Sequence, residues 1–230
     1  AVHSLKDLPT LSHPELVLVA VPPRGPVGDV LLSPKHRTFE QLPPGARVAT
    51  SSLRRRAQLL MHRPDLIVES IRGNVETRIR KLHEEGLDGL ILAQAGVSRL
   101  GLQNEITQEL AVDFLLPAVG QGALGIECRQ ENETVRQLLA TLNDPATRAQ
   151  VDAERAFLRT IEGGCQLPVG TLTSWTGDTL HLRAIVLSPD GQDHIAGDHA
   201  GEARSAESVG VELAKRLLSQ GADRLLESHH

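Results

Sequence analysis

The sequence predicts an α/β protein of more than one domain that closes with a separate α+β unit. Three observations carry that expectation. Strand and helix signals alternate between residues 47 and 93; glycine- and proline-rich crossings interrupt the apolar patterning at 22–26 and 117–125; and beyond residue 165 the pattern changes to hairpin strands and one helix. A chain of 230 residues, 40% of them apolar, is long for one compact core and suits two or three.

The chain opens at Ala1 with what reads as the end of a strand running into a polar turn at Ser4-Leu5-Lys6-Asp7. Residues 16–21 form a continuous apolar run short enough for a buried strand, and the Pro22-Pro23-Arg24-Gly25-Pro26 cluster ends it, which places a domain crossing there. Next come a strand at 47–50, a helix at 53–62, a strand at 66–71, a helix at 75–84 and a strand at 89–93. That βαβαβ order implies a parallel sheet covered on both faces, with ligands expected at the carboxyl ends of the strands. The glycine-punctuated stretch at 118–128 leads into another apolar strand and reads as a return to the first domain. Helical patterns cover 133–141 and 145–161, the second with Asp144 as cap and Pro145 in the first turn. In the last unit Ser188-Pro189-Asp190-Gly191 is the clearest hairpin turn, and a helix is expected at 207–219.

No run approaches the length of a membrane-spanning helix and no signal segment opens the chain, so the cytosol is the expected compartment and no membrane partner is expected. Two cysteines, Cys128 and Cys165, are too few for a disulfide framework and lack zinc-ligand spacing; no metal is expected. The net charge is −5, yet residues 51–81 hold eight basic side chains against three acidic ones. A cationic segment in an acidic chain points to a small anionic ligand. With no Tyr, one Trp and three Phe, the chain also lacks platforms for stacking bases, so no nucleic-acid partner is expected.

Cys165 lies in Glu162-Gly163-Gly164-Cys165-Gln166-Leu167-Pro168, a glycine-rich turn between a helix and a strand. A lone cysteine is usually a small buried hydrophobe, but Gly163 and Gly164 let a bulky group approach this sulfur, which reads as displayed. Cys128, inside an apolar strand, reads as packed. In Thr50-Ser51-Ser52-Leu53-Arg54-Arg55-Arg56 three hydroxyls at a strand-to-helix junction precede three guanidinium groups. Hydroxyls, free amides and the positive helix end suit an anion, and arginine suits a carboxylate because its planar fork donates two parallel hydrogen bonds. An N-cap followed by a solvated basic turn would look the same. A second instance, Ile71-Arg72-Gly73-Asn74-Val75-Glu76-Thr77-Arg78, favours the ligand reading, since two strand ends would point cations into one cleft. Arg80 and Lys81 are assigned to the solvated face. Lys6 and Asp7 add a cation and a carboxylate, a pair suited to proton transfer or to stabilising a cationic intermediate. His3 reads more readily as structural than as a shuttle.

Together, residues 2–9, 50–55, 72–78, 116–122 (Leu-Pro-Ala-Val-Gly-Gln-Gly) and 162–165 closely resemble the porphobilinogen deaminase family, whose members are also called hydroxymethylbilane synthases. The resemblance runs over essentially the whole chain and implies a transferase that joins four porphobilinogen molecules head to tail, releasing ammonia at each addition. It implies a dipyrromethane cofactor held by a thioether to Cys165. By the same match Asp7 would be the catalytic carboxylate. Ser4, Lys6, Ser52, Arg54, Arg55, Arg72 and Arg78 would hold cofactor and substrate carboxylates, with Thr50, Arg99 and Gln121 in supporting places. The implied fold is two lobes like periplasmic binding proteins plus a C-terminal α+β domain, in a monomer. Residues 1–22 and 123–140 would be the remnant of domain 1, 28–116 domain 2, and 145–230 domain 3 with the cofactor cysteine. Relatives carry a further N-terminal segment, so the first lobe is expected to be incomplete here. At the hinge, relatives have a charged Arg-Glu-Asp-Pro-Arg-Asp stretch of which only Asp29 is clearly retained. A small polycarboxylate-binding module, with Cys165 a spectator, and an inactive truncated remnant are the competing readings.

Overall fold

The structure, a computed structural model, describes residues 1–11, 13–162 and 168–227. The first part of the chain runs β1 (Val2–Ser4), β2 (Leu16–Ala20), β3 (Asp29–Leu32), β4 (Arg47–Ala49), α1 (Leu53–His62), β5 (Ile67–Glu69), α2 (Val75–Glu84) and β6 (Gly89–Ala93). It continues through α3 (Gln94–Arg99), β7 (Gln108–Glu109), β8 (Leu124–Arg129), α4 (Glu133–Ala140) and α5 (Pro145–Glu162). The C-terminal part holds β9 (Val169–Thr176), β10 (Thr179–Leu187), β11 (His194–Glu202), α6 (Ala206–Ser219) and α7 (Arg224–Glu227).

Among the described residues the strands form three sheets. The first has order β1-β8-β2 and is antiparallel, so a strand from late in the chain sits between two from its start. The central sheet has order β5-β4-β6-β3-β7. Its strands obey a period of two: Leu31 and Ile91 enter one core with Leu59 of α1, whereas Val30, Leu32, Leu90 and Leu92 enter the opposite core with Leu82 of α2. The expected purely parallel sheet is corrected to a mixed one. β4 pairs parallel with β5 and β6, but β3 runs antiparallel to β6 and to β7. β3 escapes sequence reading because it is four residues long and follows a proline-glycine stretch, although all four residues are buried.

The helices begin where local chemistry predicts. Ser52, Asn74, Asn132 and Asp144 each accept a backbone N–H in the first turn of the helix that follows, satisfying donors that a helix start leaves unpaired. In the C-terminal unit, β9, β10 and β11 form an antiparallel meander covered by α5 and α6, with Phe157 fully buried between them.

The crossings at 22–28 and 117–123 run side by side: the Gly25 N–H donates to Gly122 O at 3.1 Å and Gln121 Nε2 donates to Val27 O at 2.7 Å. Gly122 adopts a φ of +83°, and a side chain there would overlap the carbonyls of Gly25 and Pro26. Glycine is what lets the two crossings touch.

Candidate functional site

The Lys6-Asp7 turn is a single 3-10 turn, Leu5–Asp7, that follows β1 directly. Leu5 anchors it, 1% exposed in a core with Val21, Ala123 and Val151, while its N–H donates to Ala123 O at 3.1 Å. With Leu5 turned inward, Lys6 and Asp7 turn outward and keep exposed surface. Lys6 nevertheless stands among enough protein atoms that burial lowers its pKa. Arg55 pushes the same way and Asp7 and Asp29 oppose.

Facing this turn is the start of α1. Ser52 caps the helix, accepting from the Arg55 N–H at 3.4 Å, and the Ser51 hydroxyl donates to Ile71 O, which ties the ends of the parallel strands β4 and β5 together. Thr50 is buried, its hydroxyl accepting from the Ser52 N–H at 3.3 Å. Lys6, Ser51, Ser52, Arg54 and, unexpectedly, Arg155 line one cleft of about 320 Å³, with Leu5, Leu8, Leu53, Val119 and Leu158 as its apolar wall.

Arg54 and Arg55 are not the free cations that the spacing suggested. Both are buried, 4% and 5% exposed, and both are committed to Asp29, itself 1% exposed. Arg54 Nη2 donates to Asp29 Oδ2 at 2.7 Å, and Arg55 donates to Asp29 Oδ1 from Nη2 at 2.8 Å and Nε at 3.1 Å. The aspartate collects a further bond from Gln121 Nε2 at 2.9 Å. Burial raises the Asp29 pKa, but the two guanidinium groups outweigh it and hold the carboxyl below its usual range. Burial lowers that of Arg54, Asp29 raises it, and the net direction is down. Two arginines sharing one carboxylate keep a surplus positive charge, and Arg54 Nε is buried with no partner among the described residues. That nitrogen is enclosed by protein atoms, so what Arg54 offers the cleft it lines is positive charge, which suits a ligand bearing carboxylates.

Gln121, expected to face ligand, spends its amide N–H groups on Val27 O, Gly28 O and Asp29, leaving Oε1 without a partner. With Ser4, Lys6 and Arg99 it lines a smaller recess of about 50 Å³ beside the main cleft. Arg99 is tethered to Gly122 O at 2.9 Å. Arg78 donates to Gly73 O at 2.8 Å, and burial, then Arg55, lowers its pKa, which places it within reach of the same positive field. Arg72 stands exposed beyond β5, its side chain without a hydrogen-bond partner among the described residues. Cys165 lies outside the described residues. Cys128 is half-buried on β8, not packed in a core, with Sγ 3.5 Å from Arg129 O. His3 lies 3.2 Å from Glu127, a structural contact.

Sequence reasoning missed four residues that organise the site: Asp29 as the clamp, Arg155 in the cleft, and the pair Arg24–Glu154. Arg24 donates to both Glu154 oxygens at 2.7 and 2.9 Å; Glu154, fully buried, also accepts from Gly120 N–H and the Thr173 hydroxyl, each at 2.7 Å. One signal was available. Glu154 falls three residues after Val151 and seven after Thr147, on the inward stripe of α5, where a charge is costly unless paired.

Residues 1–137 match the family model described as porphobilinogen deaminase, dipyromethane cofactor binding domain. The chain belongs to the porphobilinogen deaminase family. A second model, porphobilinogen deaminase, C-terminal domain, matches residues 148–219. The chain is similar to porphobilinogen deaminase of Syntrophotalea carbinolica, 50% identical over 98% of this chain and 72% of the relative. It is similar also to that of Carboxydothermus hydrogenoformans, 48% identical over 99% of this chain and 73% of the relative. Among solved structures it is similar to a TRAP periplasmic solute binding protein from Pseudomonas putida F1 with bound D-glucuronate (TM-score 0.39, 11% identity, 96% of this chain and 63% of that one). A putative methionine-binding lipoprotein from Bacillus subtilis gives TM-score 0.39 at 11% identity over 65% of this chain and 66% of that one.

Proposed function

We propose that the cleft between the Lys6-Asp7 turn and the start of α1 is the active site at which this transferase joins four porphobilinogen molecules into hydroxymethylbilane, in tetrapyrrole biosynthesis. The observation that carries the assignment is the meeting of Lys6, Ser51, Ser52 and Arg54 in one cleft, from segments some forty-five residues apart in sequence. Porphobilinogen bears an acetate and a propionate. Lys6, Ser52, the surplus charge of Arg54 and Arg55, and Arg72 and Arg78 hold those carboxylates, while Leu53, Val119 and Leu158 offer the pyrrole ring an apolar wall. Asp7 is the carboxylate beside the reacting carbon: as ammonia leaves, positive charge develops on the substrate, and a fixed anion stabilises it more in the transition state than in the ground state. Ser4, Arg99 and Gln121 line the recess beside the cleft, and Thr50 holds Ser52 through the Ser52 N–H. The dipyrromethane cofactor, bound through Cys165, supplies the anchored pyrrole end to which substrate is added.

The three sheets support a division into 1–22 with 123–140, 28–116, and 145–230 as domains 1, 2 and 3. We further place the enzyme in the cytoplasm as a monomer without nucleic-acid or membrane partners; no helix among the described residues is long and apolar enough to cross a membrane.

The test is the intact mass of the purified protein, wild type beside Cys165→Ser, followed by ammonia release from porphobilinogen. The wild type carries an excess of two deaminated porphobilinogen units that the variant lacks, and the variant does not turn over. Full turnover by Cys165→Ser would sink the anchor assignment. Asp7→Asn retains substrate binding and loses at least about a hundredfold in kcat; the reverse pattern would contradict the role of Asp7.

A further inference from the structure

Arg155 is 5% exposed on the inward side of α5, yet no carboxylate among the described residues pairs with it. Its guanidinium instead donates to two backbone carbonyls, Leu8 O at 3.0 Å through Nη1 and Pro9 O at 2.5 Å through Nη2. Burial holds its pKa below the usual arginine value, and the neighbouring Arg159 adds to that. Asp152 and Glu127 oppose those two effects from a distance without pairing with it, so the two carbonyls are the partners that the buried guanidinium touches.

The two carbonyls it grips follow directly on Lys6 and Asp7. That turn has little to hold it: the Leu8 N–H to Leu5 O bond at 3.3 Å, the Leu5 anchor, and no hydrogen bond from the side chains of Lys6 or Asp7 to any described residue. The direction of Asp7 is therefore set by the backbone, and the backbone is set from the far side by Arg155. A planar fork can hold two adjacent carbonyls at once, whereas an ammonium offers a point charge. Each terminal nitrogen spends one of its two N–H groups on a carbonyl, so Arg155 lines the same cleft with part of its donor set already committed to the turn.

On the reading that this cleft is the active site, we propose that Arg155 is a positioning residue: its grip on the carbonyls of Leu8 and Pro9 fixes the turn that presents Asp7 to substrate. A misplacement of the turn by a fraction of an ångström would slow the chemical step without weakening the hold of the cleft on carboxylates.

The experiment compares full-length wild type, Arg155→Lys and Arg155→Met by steady-state kinetics with porphobilinogen, hydrogen exchange and intact mass. Arg155→Met is expected to lose about 10- to 100-fold in kcat with KM within about threefold of wild type. Its amides at Leu5 to Leu8 and at Thr10 exchange faster, those of α6 do not, and the cofactor mass is retained. Arg155→Lys recovers part of kcat and part of the protection. A raised KM at unchanged kcat would make Arg155 a ligand contact instead, and faster exchange throughout α5 and α6 would make it merely structural; wild-type kinetics in Arg155→Met would remove any role. Should Arg155→Met fail to fold, the kcat and exchange of Arg155→Lys decide by the same criteria. Absence of turnover in the wild type would overturn the active-site reading, while the exchange comparison would still settle whether Arg155 holds the turn.

Discussion

Asp29 is the first residue of β3 and the only described carboxylate that meets Arg54, Arg55 and Gln121. Its value lies in placement. Left alone, two adjacent guanidinium groups would repel and splay; with one buried carboxylate between them they point as a unit and still carry excess charge toward the cleft. A carboxyl whose folded-state pKa lies below its unfolded value of about 4 contributes stability that is complete above the unfolded value and lost as pH falls through the folded one. Asp29→Asn is therefore expected to lower stability by about 3 kcal/mol at neutral pH, because it leaves buried arginines unpaired. The variant should also show a shallower loss of stability below about pH 4 than wild type. Urea denaturation at neutral and acid pH checks both, and parallel acid slopes would contradict the assigned linkage.

At the scale of elements, α5 does more than cover the last sheet. It contributes Glu154 to the crossing at 22–28 through Arg24, to the crossing at 117–123 through Gly120, and to β9 through Thr173. It also contributes Arg155 to the Lys6-Asp7 turn. Arg24, within the crossing at 22–26 that sequence reading assigned no partner, is thus held bidentately by a carboxylate 130 positions away. The pair is dry, with side-chain exposures of 8% and 0%, against 61% and 53% for Arg80–Glu84 on α2. Glu154→Gln should cost about 3 kcal/mol, since the Arg24 charge stays buried without its counter-ion. Glu84→Gln should cost under about 1 kcal/mol, because water already screens that pair. Thermal denaturation of the two variants side by side gives the contrast; equal shifts would deny the junction its role.

For the molecule as a whole, α1 has two employments. Its first turn builds the cleft, and its later residues Ala57 and Met61 pack with Leu116, Leu172, Ile185 and Leu187 to join the central sheet to the C-terminal unit. The hairpin turn at Gly191 fits against this helix so closely that a side chain would overlap Ala57 O and Met61 N, and its φ of +72° is one that other residues resist. Gly191→Leu should then loosen the contact between the two units by about 2 kcal/mol or more while leaving each fold intact. Limited proteolysis would read it as new cleavage between them, and an unchanged pattern would mean that the contact is not close-packed. The site is sensitive to such loosening because the cleft draws residues from all three sheets' neighbourhoods.

The helices at 53–62 and 75–84, the strand at 89–93 and the hairpin turn at 188–191 were legible from sequence, and they match α1, α2, β6 and the β10–β11 connection. Periodicity, caps and turn residues are short-range signals, so a linear reading reaches them. That Ser52 caps a helix whose first turn holds Arg54 and Arg55, and that Asn74 caps one holding Arg78, was legible for a similar reason, since caps and their neighbours are adjacent in the chain. Only the tertiary structure decided how those arginines are used. Asp29 lies 25 and 26 positions from its partners, Arg24 lies 130 from Glu154, and Arg155 lies 147 from Leu8, and the direction of β3 within the sheet depends on how the crossing enters it. Such pairings are selected by the mutual burial of distant segments, where an unpaired charge is penalised most, and no local pattern in the chain records which partner will arrive.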